Sequence, residues 1–352
     1  FSNFADLIAS KGITFREWWK PTKNLDNNLL IKNFSFEKQK FILEKTLTSS
    51  IDKQLISDAP LGAFLSGGID SSLIVSIASK LKKKLNTFTI GFDFNTHDES
   101  IYAEKIAKKL NTNHEKFICN KLNTIDTIKD LQKVYDEPFA DSSQIPTILV
   151  SQIASSKVKV SLSGDGGDEL FGGYNRYLFA NKYWYILSKL PVSMRSVLIS
   201  VLNNLPHHLK IFILNFFIKN VSSSTSKTTK FIEKIRNIHN KYEFYDSLVS
   251  VWEDENKKSI NNYKHFYSSN YKNNKIEDLM MISDFKSYLT DDILCKVDRA
   301  TMYNSLESRA PFLDKNVIEL GFALDVKAKI NKGRSKFILK EILSNYLPEK
   351  YY

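Results

Sequence analysis

Cysteine is nearly absent: Cys119 and Cys295 are the only two in 352 residues, and neither belongs to a CxxC pair. That excludes a disulfide scaffold and a cysteine-built zinc or redox motif, and it fits a reducing compartment, so a cytoplasmic location is expected. No run of about 18 apolar residues is present to cross a bilayer. The apolar patch from Ile211 to Ile218 is too short and reads as a buried helix. Neither His97 nor His114 has a partner at metal-ligand spacing, so both read as surface or packing residues. Repeats at solenoid periods are missing too. No signal peptide is visible and the chain starts at Phe1 rather than Met, which fits a fragment.

What is plentiful is positive charge, with 50 Lys and Arg against 39 Asp and Glu, a formal net charge of +11. Basic domains bind phosphate backbones. Here the lysines are scattered, and Lys, Asn, Ile and Phe are abundant together, so compositional bias accounts for the charge and nucleic-acid binding is not expected. The proportions, 42% apolar and 25% charged, are those of a globular protein with room for about two domains.

One stretch organises the chain. Leu61 to Leu65 is a short apolar run of the kind that forms a parallel strand buried on both faces. It stops at Ser66-Gly67-Gly68-Ile69-Asp70-Ser71, after which Leu73, Ile74, Ile77, Ala78 and Leu81 recur at helical spacing. A loop joining a strand end to a helix start is an anion site. Its glycines turn backbone amides toward a ligand, Ser66 and Ser71 add hydroxyls, and the helix N-terminus adds positive potential. The loop is not of Walker type, because it carries an acid and no lysine. Asp70 would repel a phosphate unless a divalent cation lay between them, so Mg²⁺ and a polyphosphate ligand are inferred.

The remainder predicts an α/β protein. A helix over Phe36–Ile56 precedes the loop, and strands over Thr87–Phe92, His114–Cys119 and Val158–Leu162 alternate with helices over Asp98–Leu110, Ile125–Tyr135 and Gln144–Ser155. That alternation argues a parallel, Rossmann-like sheet with ligands beyond the strand C-termini. Asn24–Asn28 reads as a linker and Ser222–Thr229 as a polar loop. From Leu170 onward no period-2 pattern stands out, and a large helical C-terminal part is expected. The loop Ser163-Gly164-Asp165-Gly166-Gly167-Asp168-Glu169 follows its strand as Ser66 follows the first, so both should face one crevice and Asp70 and Asp168 can share the cation.

Ser-Gly-Gly-Ile-Asp-Ser resembles the pyrophosphate loop of the ATP pyrophosphatase (PP-loop) superfamily. Ser163 to Tyr174, Val297-Asp-Arg-Ala-Thr-Met302, Leu306 to Asp314 and Gly333-Arg-Ser-Lys336 together resemble the synthetase domain of the glutamine-hydrolysing asparagine synthetase family, from about Phe36 to the C-terminus. The resemblance implies a fold of the adenine-nucleotide α-hydrolase type and a carbon–nitrogen ligase. Such an enzyme activates a carboxylate with ATP as an acyl-adenylate, releases pyrophosphate and admits ammonia, drawn from glutamine or from solution. It implies that Ser66, Gly67, Gly68 and Ser71 hold pyrophosphate, that Phe64, Leu65 and Ile90 border adenosine, and that Ser163 and Gly164 touch it through the backbone. Asp70 and Asp168 would bind Mg²⁺, with Asp165 and Lys336 catalytic. Asp165 stands where many members carry Glu, so its reach is shorter.

Glu307 and Arg309 read as a structural ion pair, and Asp136-Glu137 as either a border of the acceptor pocket or a helix cap. Residues 1–34 would be the tail of a glutaminase domain plus linker, including Trp18-Trp19-Lys20-Pro21, with the glutaminase domain itself missing. Residues 35–352 would be the synthetase domain, divided into a nucleotide-binding core over 35–180 and a mainly helical part over 181–352 that is cut short. The acceptor is a small carboxylate, aspartate first. Ala140 to Gln144 lacks an Arg that some asparagine-forming members carry there, so another amidotransferase or a cyclase acting on a sugar or peptide carboxylate stands as an alternative, as does a tRNA-modifying PP-loop enzyme. A homodimer is left open as the assembly.

Overall fold

Five short strands set the frame of the protein, seen here in a computed structural model that describes residues 18–21, 29–92, 98–205, 209, 236, 238–250 and 275–352. In chain order they are β1 (Leu61–Phe64), β2 (Asn86–Phe92), β3 (Asn113–Cys119), β4 (Val160–Leu162) and β5 (Glu307–Arg309), and they lie in the order β3-β2-β1-β4-β5. All four pairings are parallel, with Ala63 opposite Thr87, Gly62 opposite Ser161 and Leu162 opposite Arg309. Parallel strands need crossovers, and helices supply them. Helices α1 (Phe36–Gln54), α2 (Ile69–Leu81), α3 (Ser100–Leu110), α4 (Lys121–Tyr135) and α5 (Gln144–Ser155) fall where the apolar periodicity predicts them. Their ends follow local chemistry: Asn120 caps α4 by accepting from the Asn123 amide at 2.9 Å, and α3 stops at Asn111 in the left-handed region, φ 54°.

From β1 the chain leaves by α2 toward β2 on one side, while β4 pairs on the other, so the order reverses between β1 and β4. That reversal opens a crevice at the strand C-termini. Beneath it the main core joins both halves of the chain: Leu47 and Ile51 of α1, Leu73 of α2 and Leu162 of β4 are buried with Phe312, Ile338 and Ile342.

The described residues after Leu170 are mainly helical, as expected, and add one strand that the sequence did not show: Glu307–Arg309 forms β5 at the sheet edge. Glu-Ser-Arg is too short and too polar to show strand alternation, and tertiary partners hold it. Arg309 donates to Glu307 at 2.6 Å and to the Gln54 and Ile56 carbonyls at 2.7 Å, which supports the ion-pair reading and ties β5 to the end of α1. The readings at Ile211–Ile218, Ser222–Thr229, Asn24–Asn28 and His97 lie outside the described residues. His114 is a packing residue, its Nδ1 3.0 Å from the Thr87 hydroxyl. Among the described residues no helix is long and apolar enough to cross a membrane.

Lys329 is the costly position in this core. It is 0% exposed and its ammonium has no hydrogen-bond partner, and burial, opposed by Asp278, pulls it down to about 8. A lysine that loses its proton earlier when folded destabilises the fold below that range, and stability recovers as pH rises from about 8 to 10.5. Replacing Lys329 by Met should therefore raise the unfolding free energy at pH 7 by roughly 2–3 kcal/mol. Denaturant titrations at pH 7 and 10 check it: the gain should shrink at the higher pH.

Candidate functional site

Two glycine loops and one lysine meet at the crevice. The first leaves β1 at Phe64, and Gly67 adopts φ +88°, where an added Cβ would stand 3.0 Å from both the Ala103 amide and Tyr102. Only glycine allows that turn. The loop is braced internally: the Ser66 amide donates to Ser71 Oγ at 3.2 Å, the two hydroxyls lie 2.9 Å apart, and the Gly68 amide donates to Ser66 Oγ at 3.2 Å. Ser66 and Ser71 thus preorganise the loop as well as offering oxygens to a ligand.

Asp70, in the first turn of α2, is 8% exposed. The second loop reaches it because its glycines have no side chains. A Cβ on Gly167 would fall 2.5 Å from the Asp70 carboxyl carbon, and one on Gly164 would fall 2.9 Å from the Ser71 amide. Gly167 opens the helix α6 (Gly167–Phe171), which carries Asp168. Lys336 closes the arrangement. Its Nζ lies 2.7 Å from Asp70 Oδ2 and 2.8 Å from Asp168 Oδ1. It sits in the left-handed region at φ 51°, a conformation that costs a non-glycine residue about 1 kcal/mol and that marks functional positions.

Charge is concentrated here. Burial, reinforced by Asp168 and Asp165 and opposed by Lys336, raises the Asp70 carboxyl above the usual range. Burial alone would lower Lys336, but Asp70 and Asp168 outweigh it and hold the ammonium charged. Asp165 is also raised, chiefly by burial, with the Ser163 hydroxyl and Lys296 acting against the shift. On the β2 side, Phe64, Leu65, Ser66 and Ile90 line a cleft of about 260 Å³ with Phe88 and Glu99. The structure thus brings the predicted Phe64, Leu65 and Ile90 together beside the first loop.

Asp70 Oδ1 is buried without a hydrogen-bond partner, and Asp70 and Asp168 converge on one cation. Among the described residues no group of three or more His, Cys, Asp or Glu is placed to hold a metal. Two carboxylates fit Mg²⁺, which keeps waters and takes phosphate oxygens, rather than an ion caged wholly by protein.

Sequence reasoning passed over Lys296, in the first turn of the helix α7 (Cys295–Tyr303). Its Nζ lies 2.5 Å from Asp141 Oδ2 and 2.6 Å from Ser143 Oγ, and Asp141 accepts both the Ser143 amide and hydroxyl at 2.7 Å. The available signal was a lysine directly preceding the Val297 motif. Asp136 ends α4 and its carboxylate accepts from Arg299, the helix-cap reading of that residue.

The asparagine synthase family model matches residues 43–352. The chain belongs to the asparagine synthase family. A glutamine-hydrolysing asparagine synthetase 1 of Bacillus subtilis is 30% identical over 96% of this chain and 51% of its own length. A putative glutamine-hydrolysing asparagine synthetase 2 of Methanocaldococcus jannaschii is 34% identical over 76% of this chain and 50% of its own. The chain therefore spans about half the length of the curated relatives it matches. Among solved structures, an NMN synthetase from Francisella tularensis shares 18% identity at a TM-score of 0.29, covering 40% of this chain and 60% of its own, a likeness too slight to carry an argument.

Removing Lys336 leaves the buried Asp70 carboxylate facing the partly exposed Asp168 without a cation between them. Lys336→Met should cost about 3 kcal/mol of stability, and adding Asp70→Asn in the same chain should restore about 1 kcal/mol or more. A double-mutant cycle in urea reads the coupling; independent, additive losses would show that the lysine does not bridge the loops.

Proposed function

We propose that this synthase-family chain is an ATP-dependent carbon–nitrogen ligase that converts a carboxylate, aspartate first, into its amide through an acyl-adenylate. The observation that carries the reading is the Lys336 ammonium held between Asp70 and Asp168, where two glycine loops meet at the strand ends. Adenosine occupies the cleft walled by Phe64, Leu65 and Ile90, with the Ser163 and Gly164 backbone beside it. The terminal phosphates lie over the first loop, where Gly67, Gly68 and the start of α2 present amides and Ser66 and Ser71 present hydroxyls.

The acceptor carboxylate attacks the α-phosphorus and pyrophosphate leaves. Lys336 stands where that negative charge grows, and a preorganised cation in a buried site stabilises the transition state more than the ground state. Mg²⁺, held by Asp70 and Asp168, would neutralise further phosphate charge when bound. Ammonia then attacks the acyl carbon, the acyl C–O bond breaks so that AMP leaves, and the nitrogen must shed a proton. Asp165, a partly buried carboxyl just beyond β4 whose pKa burial raises, accepts it in this scheme. Ammonia comes from glutamine hydrolysis or from solution. Membership of the asparagine synthase family supports amidation over tRNA modification.

Incubating the chain with ATP, Mg²⁺, ammonium and a panel of acids tests the reading. Pyrophosphate and AMP should form in equal amounts with at least one acid. Lys336→Met should lower kcat by roughly 100-fold or more. An absence of pyrophosphate with every acid would overturn the proposal.

A further inference from the structure

Lys336 carries the proposed chemistry, and the turn that presents it is under strain. Between Ile330 and the helix α8 (Phe337–Leu343), Lys332, Gly333 and Lys336 all lie in the left-handed region, at φ 48°, 78° and 51°. A non-glycine residue keeps that conformation only where its surroundings over-determine it. Upstream, Ile330 is buried and reaches over Gly172, where an added Cβ would stand 2.8 Å from it. Downstream, Ile338, Leu339, Ile342 and Leu343 of α8 are buried in the main core. These anchors fix the ends of the segment, not its middle. Lys332, Gly333 and Arg334 are exposed, and a Cβ on Gly333 would meet nothing within 4 Å.

Two contacts hold the middle. Asn331 and Arg334 exchange backbone hydrogen bonds, 3.1 Å from the Asn331 amide and 2.8 Å from the Arg334 amide, closing a turn whose two central residues have positive φ. The Arg334 guanidinium then reaches across to Glu349, with Nη2 3.0 Å from Oε1, and lies 5.9 Å from the centre of the Phe337 ring. Glu349 is a firm mooring. It opens the short turn Glu349–Tyr351, between Leu347, buried in the main core, and Tyr351 and Tyr352, packed against that core. The acid also answers a local excess of positive charge. Burial, reinforced by Arg334 and Lys336, lowers the Lys340 ammonium below its usual range, and Glu349 opposes the shift. Without Glu349, Arg334 would be pushed away from two like charges and the turn would lose its tie to the core.

The Arg334 and Glu349 side chains are 49% and 69% exposed, and pairs so exposed add little to global stability. Such a pair acts on the local choice between conformations of a few residues. That choice matters here, because a cation that stabilises a leaving group must be in place before the charge develops.

We propose that Arg334 and Glu349 are positioning residues for Lys336: their ion pair pins the strained turn so that the ammonium is held ready in the crevice. The catalytic consequence rests on the adenylation reading.

Single-turnover rates of pyrophosphate formation, KM for ATP, urea midpoints, and amide hydrogen exchange over residues 331–336 without ATP test it on the full chain. Glu349→Gln and Arg334→Gln should each lower the single-turnover rate by about 3- to 10-fold and leave KM for ATP and the urea midpoint nearly unchanged, because the lost contact acts on transition-state charge and not on the fold. Amide exchange over the turn should quicken by a similar factor. Joining Arg334→Glu to Glu349→Arg should return both readouts to within about twofold of wild type, which the loss of either charge alone does not do. Unchanged exchange in both single variants, a slowed rate matched by a lowered urea midpoint, or no recovery in the charge-swapped chain would overturn the proposal. If the exchange pattern holds but the wild-type chain releases no pyrophosphate with any acid, the adenylation reading falls and the pinning of Lys336 stands.

Discussion

The Lys336 ammonium between Asp70 and Asp168 is the interaction on which the rest of the crevice depends. Asp70 comes from the first turn of α2, Asp168 from α6, and Lys336 from a turn over 160 residues further along the chain. Each carboxylate would be expensive to bury alone, and the pair more so, so the cation lets the two loops approach. The glycines at 164 and 167 then set the distance, because any side chain there would collide with Asp70 or Ser71. A site assembled this way gathers two carboxylates around one positive charge.

Much of this was legible in the chain. The two Ser-Gly loops announced themselves because each follows a buried strand with a run of glycines and acids at the start of a helix. The helices α1 to α5 followed from apolar spacing. Illegible were features that exist only through distant partners. β5 is three polar residues made into a strand by β4, α1 and an internal ion pair. Lys296 looks like any surface lysine until Asp141 and Ser143, over 150 residues away in sequence, close on it. The mutual bonding of Ser66 and Ser71 was also invisible, since composition says which hydroxyls are present and not whom they face.

Two lysines are each held by carboxylates from distant parts of the chain. Lys336 lies between Asp70 and Asp168, and Lys296 is held by Asp141 and Ser143. The cleft on the β2 side lies beside the first loop, where the strand order reverses between β1 and β4.

The central claim is that the acceptor's own carboxylate oxygen becomes bonded to the α-phosphorus. Running the reaction with ATP, Mg²⁺, ammonium and aspartate labelled with ¹⁸O in its side-chain carboxyl, then weighing the nucleotide product by mass spectrometry, tests it most directly. The account predicts AMP carrying one ¹⁸O atom for each amide formed. Label in inorganic phosphate with ADP as the nucleotide product, or amide formation with unlabelled AMP, would contradict it.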